Sequence, residues 1–376
     1  MKRNIRNITG VLLSMAILGT AMTGCSQTIP NPESYAASAS TEASTEPVTK
    51  ETEESDSETT GAAIESEQSG FKGGDHRGNA GGPGSMGGMQ LDKSADTELQ
   101  DMIAEVADKF TQGEYTDEET GKTVPYNIYL PENYDSSRTY PMVVFIGDAT
   151  TVGTDMSYPL TQGWGGLIWA SDEVQTEVEC IVLVPVYPET VIDDNNGAEL
   201  LSDYIDITPR MIQSVADQYS VDTNRIYGTG QSMGAMTTMY LAANVQDLYA
   251  GVLIVDGQWD TAALAGLSTQ NVMYVVAGGD DKAFEGQSNV KSMLNEQSMT
   301  YGEVSDLDAQ ADREELNEAI ETMLAEGHNI NFVTWTSGSV REGVSSNINS
   351  EHMASFDYGY KLSSIRDWLL SQSKSM

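Results

Sequence analysis

Four short apolar runs, none of which contains a charged residue, leave few folds open to this chain. Strands buried on both faces have this pattern, because helices cover both sides of a parallel sheet. Amphipathic stretches such as 205–219 and 314–326 alternate with the runs, and such alternation is typical of an α/β fold. The sequence therefore predicts a mainly parallel central sheet with helices on both faces. The runs are Met142–Ile146, Cys180–Val186, Gly251–Val255 and Val272–Ala277.

Residues 1–24 have the pattern of a bacterial lipoprotein signal peptide. A basic start precedes an uncharged apolar stretch, Ile8–Met22, which is too short for a typical transmembrane span. The stretch runs into Ala-Met-Thr-Gly-Cys at 21–25, and small residues before a cysteine resemble the lipoprotein cleavage box. We therefore expect Cys25 to become the lipidated first residue, which would anchor the mature protein to the cell membrane, facing outside.

Residues 25–95 have the composition of a disordered linker. Ser, Thr, Ala and Glu dominate up to Glu67, and the segment 70–88 is rich in glycine. Neither part can bury enough apolar area to offset the entropy lost on ordering. The linker is therefore expected to be an acidic stalk, and the remaining residues, 96–376, are expected to form one catalytic domain.

The charge of the chain excludes several classes of partner. The 376 residues contain 57 acidic and 19 basic side chains, so the formal net charge is −38. A nucleic-acid partner would require a basic surface, and so would electrostatic docking onto anionic lipid. Anionic polymers are disfavoured as substrates for the same reason. The sequence gives no indication of the oligomeric state.

A strand–turn–helix pattern around Ser232 indicates nucleophilic chemistry. The residues 230–234 read Gly-Gln-Ser-Met-Gly, a match to Gly-x-Ser-x-Gly. A short strand candidate precedes them, and an uninterrupted helical pattern follows at 235–244. In a nucleophile elbow the serine occupies strained backbone, and the glycines allow strand and helix to pass closely. The turn then presents the hydroxyl above the sheet, so Ser232 is predicted to be a nucleophile.

The segment from Val221 to Gly234 resembles the α/β-hydrolases of the polyhydroxybutyrate-depolymerase-like and prolyl-oligopeptidase-like esterase group. Three further segments support the resemblance, which covers roughly residues 122–374. It implies the α/β-hydrolase fold and a serine esterase that needs no metal or cofactor, with catalytic residues in the order Ser, Asp, His. The supporting segments are Tyr126–Tyr134, Tyr140–Phe145 and Ile365–Gln372.

A serine hydroxyl needs a neutral imidazole to take its proton. Of the three histidines, His76 lies in the linker and His328 begins a predicted strand. His352 follows that strand and precedes the final helix, where the esterase group carries its catalytic histidine. His352 is therefore predicted to be the general base.

The acid of the triad is expected between the serine and the histidine. The residues 277–281, Ala-Gly-Gly-Asp-Asp, follow a predicted strand at the place where the group often shows His-Gly-x-x-Asp. Matching the motif residue by residue assigns the role to Asp281, with Asp280 as the runner-up. Asp256, at the end of the preceding strand, remains a further alternative.

The oxyanion hole is where this chain departs from the group. The resemblance implies that the backbone N–H of Met233 is one donor. The second normally comes from a His-Gly-x-Gly loop, but residues 147–150 here are Gly-Asp-Ala-Thr. The N–H of Asp148 or Ala149 is expected to donate instead. A carboxylate beside a developing oxyanion is unfavourable unless it points away or is paired.

The sequence says little about substrate specificity. Trp164 and Trp259 lie in or near loops that follow sheet strands, where this fold binds ligands, and they are candidate substrate contacts together with Gln231. An apparent insertion at 297–312 carries Asp306 and Asp308 but lacks a glutamate to close a calcium loop. We expect it to be a solvated, helix-capping acidic segment and predict no metal site.

The sequence thus predicts a surface-anchored serine hydrolase that cleaves a small-molecule or saccharide-linked ester through an acyl-enzyme. One alternative is a peptidase of the prolyl-oligopeptidase-like type, although no repeats of propeller length are present. The other is a surface binding lipoprotein with a decayed site, which Asp148 in the oxyanion loop suggests.

Overall fold

A computed structural model describes residues 91–342 and 351–374. The predicted signal peptide, Cys25 and the linker up to residue 90 lie outside the described residues. The last predicted linker residues, 91–95, already contact the domain, because Lys93 pairs with Asp357 at 2.7 Å. No helix in the two described ranges is long and apolar enough to cross a membrane.

The main sheet of the described chain has nine strands in the order β1-β2-β4-β3-β7-β8-β9-β11-β10. The first two pairs in this order, β1 with β2 and β2 with β4, are antiparallel. All the other neighbours are parallel, which confirms the predicted mainly parallel sheet. A short ribbon, β5 with β6, lies outside this sheet. The strands are β1 Thr111–Thr116, β2 Thr123–Tyr129, β3 Tyr140–Ile146, β4 Ile181–Pro185, β5 Ile192–Asp193, β6 Glu199–Leu200, β7 Val221–Gln231, β8 Gly251–Val255, β9 Val272–Ala277, β10 Gly302–Leu307 and β11 Ile330–Trp335.

Helices cover both faces of the sheet, as the continuous apolar runs predict. Alternate residues of a strand point to opposite faces. In β9, Tyr274 therefore belongs to the core on one face, together with residues of the helices at 204–218, 233–244 and 281–296. Val275 belongs to the core on the other face, together with residues of the helices at 97–106, 313–324 and 363–371. The α-helices of the described chain are α1 Thr97–Val106, α2 Tyr158–Thr161, α3 Asp172–Glu177, α4 Tyr204–Gln218, α5 Met233–Asn244, α6 Asp281–Glu296, α7 Arg313–Leu324, α8 His352–Ser355, α9 Tyr358–Lys361 and α10 Ser363–Ser371.

The acidic segment 297–312 contains a strand that the sequence analysis did not predict. This strand, β10, lies at the edge of the sheet, parallel to β11. An edge strand has one unpaired side, and charged side chains there discourage further pairing. Because acidic residues interrupt its apolar pattern, this strand is not evident from the sequence. The expected helix-capping role holds for Asp312, whose carboxylate accepts the Glu314 N–H at the start of α7.

The topology gathers the candidate residues at one edge of the sheet. In open α/β sheets, ligands bind beyond the carboxyl ends of the parallel strands. The polar residues that follow these strand ends are Asp148 after β3, Ser232 after β7, Asp256 after β8, Asp280 after β9 and His352 after β11.

Candidate active site

Ser232 occupies the sharp turn between β7 and α5. Its φ of 52° and ψ of −119° lie in a region that residues with a side chain rarely adopt. The neighbouring helix passes so close that a Cβ on Gly234 would lie 1.9 Å from the Ile146 carbonyl oxygen. A Cβ on Gly230 would lie 2.5 Å from the Gly234 carbonyl carbon. The two glycines of the motif are therefore required by close backbone contact, as a nucleophile elbow demands.

Three side chains from different loops form one hydrogen-bonded chain. The Ser232 Oγ is 2.8 Å from the His352 Nε2, and the His352 Nδ1 is 2.5 Å from the Asp280 Oδ2. When the imidazole proton is on Nδ1, it is donated to Asp280, and Nε2 accepts the hydrogen bond of the serine hydroxyl. This arrangement suits a serine that must be deprotonated as it attacks.

The structure corrects the predicted acid, because Asp280 rather than Asp281 contacts His352. Asp280 is buried at the N-cap of α6, where it also accepts the Ala283 N–H. Asp281 is the first residue of that helix and is exposed. A cap residue has non-helical backbone, so its carboxylate can reach across to the histidine, whereas the next residue follows the helix. The spacing of the group's motif therefore points to a residue one position later in the chain than the aspartate that contacts His352.

Negative charge around His352 sets its protonation. Burial alone would lower the pKa of this imidazole. The hydrogen bond and charge of Asp280, with smaller contributions from Asp256 and Asp148, outweigh burial and raise the pKa above its ordinary value. The surroundings of His352 therefore favour the imidazolium, the form that a general base becomes when it accepts a proton.

Asp256, the alternative acid, is buried in the turn after β8 and has a φ of 45°. Its Oδ1 accepts the Ala277 N–H at 2.8 Å, and its Oδ2 lies 2.5 Å from the Ser355 hydroxyl. The Asp256 carboxylate therefore holds Ser355 and the Ala277 backbone, whereas Asp280 is the carboxylate that contacts the His352 Nδ1. Burial, with the nearby charge of Asp280, raises the pKa of Asp256 to about 7.

Asp256→Asn is expected to remove a pH-dependent loss of stability. An unfolded aspartate has a pKa of about 3.9, so between about pH 4 and 7 the folded chain binds a proton that the unfolded chain has released. The folded state binds more protons in this window, so stability falls as pH rises through it. Asparagine can accept the Ala277 N–H and donate to Ser355, which itself donates to the His352 carbonyl.

Urea unfolding from pH 4.5 to 8 tests this expectation. The variant should gain stability relative to wild type as pH rises, by an amount on the order of a few kcal/mol across the window. A loss of stability that is equal at every pH would mean that the carboxylate is charged in the folded protein throughout.

The carboxylate of Asp148 accepts hydrogen bonds from Thr150 and Gln231, so it meets the condition that a carboxylate in this loop should be paired. Its Oδ1 accepts both the N–H and the hydroxyl of Thr150, at 2.7 and 2.5 Å. Its Oδ2 accepts the side-chain amide of Gln231 at 2.9 Å. The side chain is only 2% exposed. The charge is thus held by hydrogen-bond donors, while the residue's backbone stays at the turn after β3.

A cavity of about 490 Å³ opens beside Ser232. Ser232, His352, Met233, Asp148 and Ala149 all line it, so the residues predicted to form the oxyanion hole share one cavity with Ser232 and His352. Met233 is the first residue of α5, and N–H groups in the first turn of a helix lack an intrahelical acceptor. These N–H groups can therefore receive a developing negative charge.

The two tryptophans are placed in the core, which corrects their assignment as substrate contacts. Trp164 packs against the face that carries α1, and Trp259 packs edge-on against Tyr240. Among the described residues, neither side chain lines the cavity at Ser232. Both indoles are at least nine-tenths buried, because packing a large aromatic ring is more favourable than exposing it. Gln231 is also buried. Its side chain donates a hydrogen bond to Asp148, and it is not among the described residues that line the cavity at Ser232.

The outer wall of the cavity was not predicted. The ribbon β5–β6 brings Asp194 to the cavity, where its carboxylate accepts from the Gln258 amide at 2.6 Å and pairs with Lys282 at 3.2 Å. These residues lie far apart in the chain and match no motif, so only the fold reveals them. His328 lies elsewhere, before β11, with its Nε2 3.5 Å from Glu326.

Within residues 91–342 and 351–374, no group of three or more His, Cys, Asp or Glu side chains is arranged to hold a metal ion.

Comparison with known proteins finds a matching family model. The Esterase family model, described as "Putative esterase", matches residues 118–342. No curated protein sequence matches the chain significantly. A solved thermostable esterase is similar with a TM-score of 0.55 and 22% identity, over 72% of this chain and 64% of that one. This chain therefore spans less than two thirds of that esterase.

Two other solved structures are more distant. A mutant of the feruloyl esterase module from Clostridium thermocellum, complexed with sinapinate, has a TM-score of 0.45 and 14% identity, over 71% of this chain and 89% of that one. The fluorophosphonate-binding serine hydrolase F of Staphylococcus aureus has a TM-score of 0.42 and 11% identity, over 61% and 90%. The family match carries the assignment. Because it covers more than half of the 376 residues, the chain belongs to this esterase family, and its sheet and helices have the α/β-hydrolase fold.

Proposed function

We propose that this protein hydrolyses carboxylic esters with Ser232 as nucleophile, His352 as general base and Asp280 as the acid. The observation that carries the proposal is the continuous hydrogen-bonded chain from Ser232 through His352 to Asp280, at the wall of an open cavity. A serine at its ordinary pKa is a weak nucleophile, and an adjacent imidazole oriented by a carboxylate is the arrangement that activates it.

In the first half of the reaction, the Ser232 oxygen attacks the ester carbonyl and its proton passes to the His352 Nε2. The tetrahedral intermediate collapses, the bond to the alcohol oxygen breaks, and the imidazolium returns the proton to the leaving alcohol. Asp280 stabilises the imidazolium through Nδ1. In the second half, water attacks the acyl-enzyme, its proton passes through the same nitrogen, and Ser232 is released with the carboxylic acid.

The backbone N–H of Met233, together with that of Asp148 or Ala149, is proposed to stabilise the oxyanion. Met233, Asp148 and Ala149 line the same cavity as Ser232. Donors fixed in place before the reaction need no reorganisation as charge develops, and losing one typically costs about 10² to 10³ in kcat. The hydrogen bonds that Thr150 and Gln231 donate to the Asp148 carboxylate support this proposal over a decayed site.

The proposed substrate is a small neutral ester, with either a simple or a saccharide-linked alcohol. A cavity of about 490 Å³ is of the size usual for small-molecule sites. Asp193 and Asp194 lie in its wall, and carboxylates there disfavour an anionic acyl or alcohol group. The assignment to the polyhydroxybutyrate-depolymerase-like group rests on the sequence resemblance alone.

We also propose that the protein is a lipoprotein of the cell surface, anchored through Cys25. The support is the basic start, the apolar stretch and the Ala-Met-Thr-Gly-Cys ending at residues 21–25. Cys25→Ser should shift the protein from the membrane fraction to the soluble fraction of the expressing cells. Wild-type protein recovered mainly in the soluble fraction would contradict the anchor.

Fluorophosphonate labelling of the mature chain tests the proposed function. Wild type should react, and mass spectrometry should find the adduct on Ser232, because an activated serine attacks phosphorus as it attacks a carbonyl. Ser232→Ala and His352→Ala should not be labelled although they remain folded by circular dichroism. Absence of labelling in folded wild type would overturn the proposal. Acetyl, butyryl and feruloyl esters would then rank the acyl groups of a reactive enzyme.

A further inference from the structure

A buried carboxylate lies directly before the histidine of the proposed triad. Glu351 is only 7% exposed. Its Oε2 accepts the Gly279 N–H at 3.0 Å. Its Oε1 accepts the Gly338 N–H at 2.6 Å and lies 3.3 Å from the Ser337 hydroxyl. One carboxylate therefore connects the segment that carries His352 to the loops after both β9 and β11.

Two consecutive residues on each loop are paired. Glu351 bonds to Gly279, and the next residue of each loop forms the contact between His352 and Asp280. The first pair joins a side chain to the backbone, so it fixes the path of the loop after β9 and not only a side-chain rotamer. The position of the Asp280 Cα relative to the histidine is thereby constrained from one residue away.

The glycine at 279 is explained by this contact. A Cβ there would lie 2.1 Å from the Glu351 Oε1, so the carboxylate occupies the space that any side chain would need. Gly279 is not among the glycines with left-handed φ. Its backbone conformation would therefore accept alanine, and the requirement for glycine at this position comes from Glu351.

We propose that Glu351 is a positioning residue for the acid–base pair. It holds the Gly279 backbone so that the Asp280 carboxylate stays against the His352 Nδ1. The role rests on the proposed function of these residues. Hydrogen bonds to a charged acceptor are stronger than neutral ones, and three such contacts compensate the burial of the carboxylate. Glu351 itself does not line the cavity at Ser232 among the described residues.

Glu351→Gln tests the role with little change of volume. One oxygen can still accept the Gly338 N–H, but the new amide group would face the Gly279 N–H, so that contact becomes donor to donor. We expect kcat to fall by about 10²-fold, because small misplacements of reacting groups have effects of this size. KM should stay within about twofold of wild type, because substrate binding is not altered.

The pH profile separates positioning from stability. Asp280 raises the pKa of His352, so withdrawal of its carboxylate should lower that pKa. The acid limb of kcat/KM should therefore move to lower pH in Glu351→Gln. A residue that only stabilised the fold would change the melting temperature, while kcat per fluorophosphonate-labelled site and the acid limb would stay at wild-type values. That result would overturn the proposal.

A second set of variants tests the contact itself, whether or not Glu351→Gln folds. Gly279→Ala should reduce kcat about as much as Glu351→Gln, because its Cβ displaces the carboxylate. In the background of Glu351→Ala, the same substitution should cost less than about twofold, since the space is then empty. Independent, multiplicative losses in the double variant would overturn the role of the contact. Absence of labelling at Ser232 in wild type would instead overturn the proposed function, and the positioning role with it.

Discussion

Replacing either Ser232 or His352 with alanine should lower kcat by about 10⁶, and the double variant should lose no more than either single variant. The Ser232 Oγ is within hydrogen-bond distance of one imidazole nitrogen, so the two residues act as a unit. Removing one leaves the other without a partner in the reaction, and losses in such units are far from additive. Kinetics with an activated ester, such as p-nitrophenyl acetate, would measure the effect.

His328→Ala is the matched control for the histidine. It lies before β11 beside Glu326, away from the carboxyl ends of the strands. We expect its kcat to stay within about twofold of wild type, as is usual for a side chain away from the reacting atoms. A His352→Ala variant that kept more than about a hundredth of the wild-type kcat would contradict the proposed base.

Asp280→Asn should reduce kcat by about 10⁴ with little change in KM. The amide would preserve the shape of the side chain, but it can no longer stabilise the imidazolium and can favour the wrong tautomer of His352. An equivalent change in a serine-protease triad has an effect of this size. The contact of 2.5 Å between the Asp280 Oδ2 and the His352 Nδ1 is the interaction that the substitution weakens.

Asp281→Asn provides a matched control, because it makes the same chemical change one residue further along the chain. Asp281 is exposed at the first position of α6. Removing a negative charge from the first turn of a helix should cost a few tenths to about 1 kcal/mol of stability, and kcat should stay within about twofold. If Asp281→Asn were the slow variant and Asp280→Asn the fast one, the assignment from the motif would be right and the geometry misread.

The sequence was informative wherever function depends on local pattern. The turn at Ser232 could be predicted because glycines at fixed spacing, a strand before and a helix after are all consecutive in the chain. His352 could be predicted from its place relative to the strands and because few histidines compete with it. The central strands could be predicted because burial on both faces requires an unbroken run of apolar residues.

Other features depend on geometry that the sequence does not encode locally. Whether Asp280 or Asp281 faces the histidine depends on where α6 begins, and helix boundaries are the least certain part of a sequence prediction. The strand β10 contains the acidic residues Glu303 and Asp306, which an edge strand tolerates and which interrupt the apolar pattern of a buried strand. The contact between Glu351 and Gly279 joins loops more than seventy positions apart, so only the three-dimensional structure reveals it.

The hydrogen bond between Gln231 and Asp148 has a consequence for how this protein can be engineered. Gln231 ends β7, and Asp148 lies in the loop after β3. Both side chains are buried, and the Gln231 amide donates a hydrogen bond to the Asp148 carboxylate. Replacing Asp148 alone with glycine, to match the His-Gly-x-Gly loop of the esterase group, would leave the buried Gln231 amide without its hydrogen-bond acceptor. Positions 148 and 231 therefore form a single mutational unit, and combinatorial libraries should vary them together.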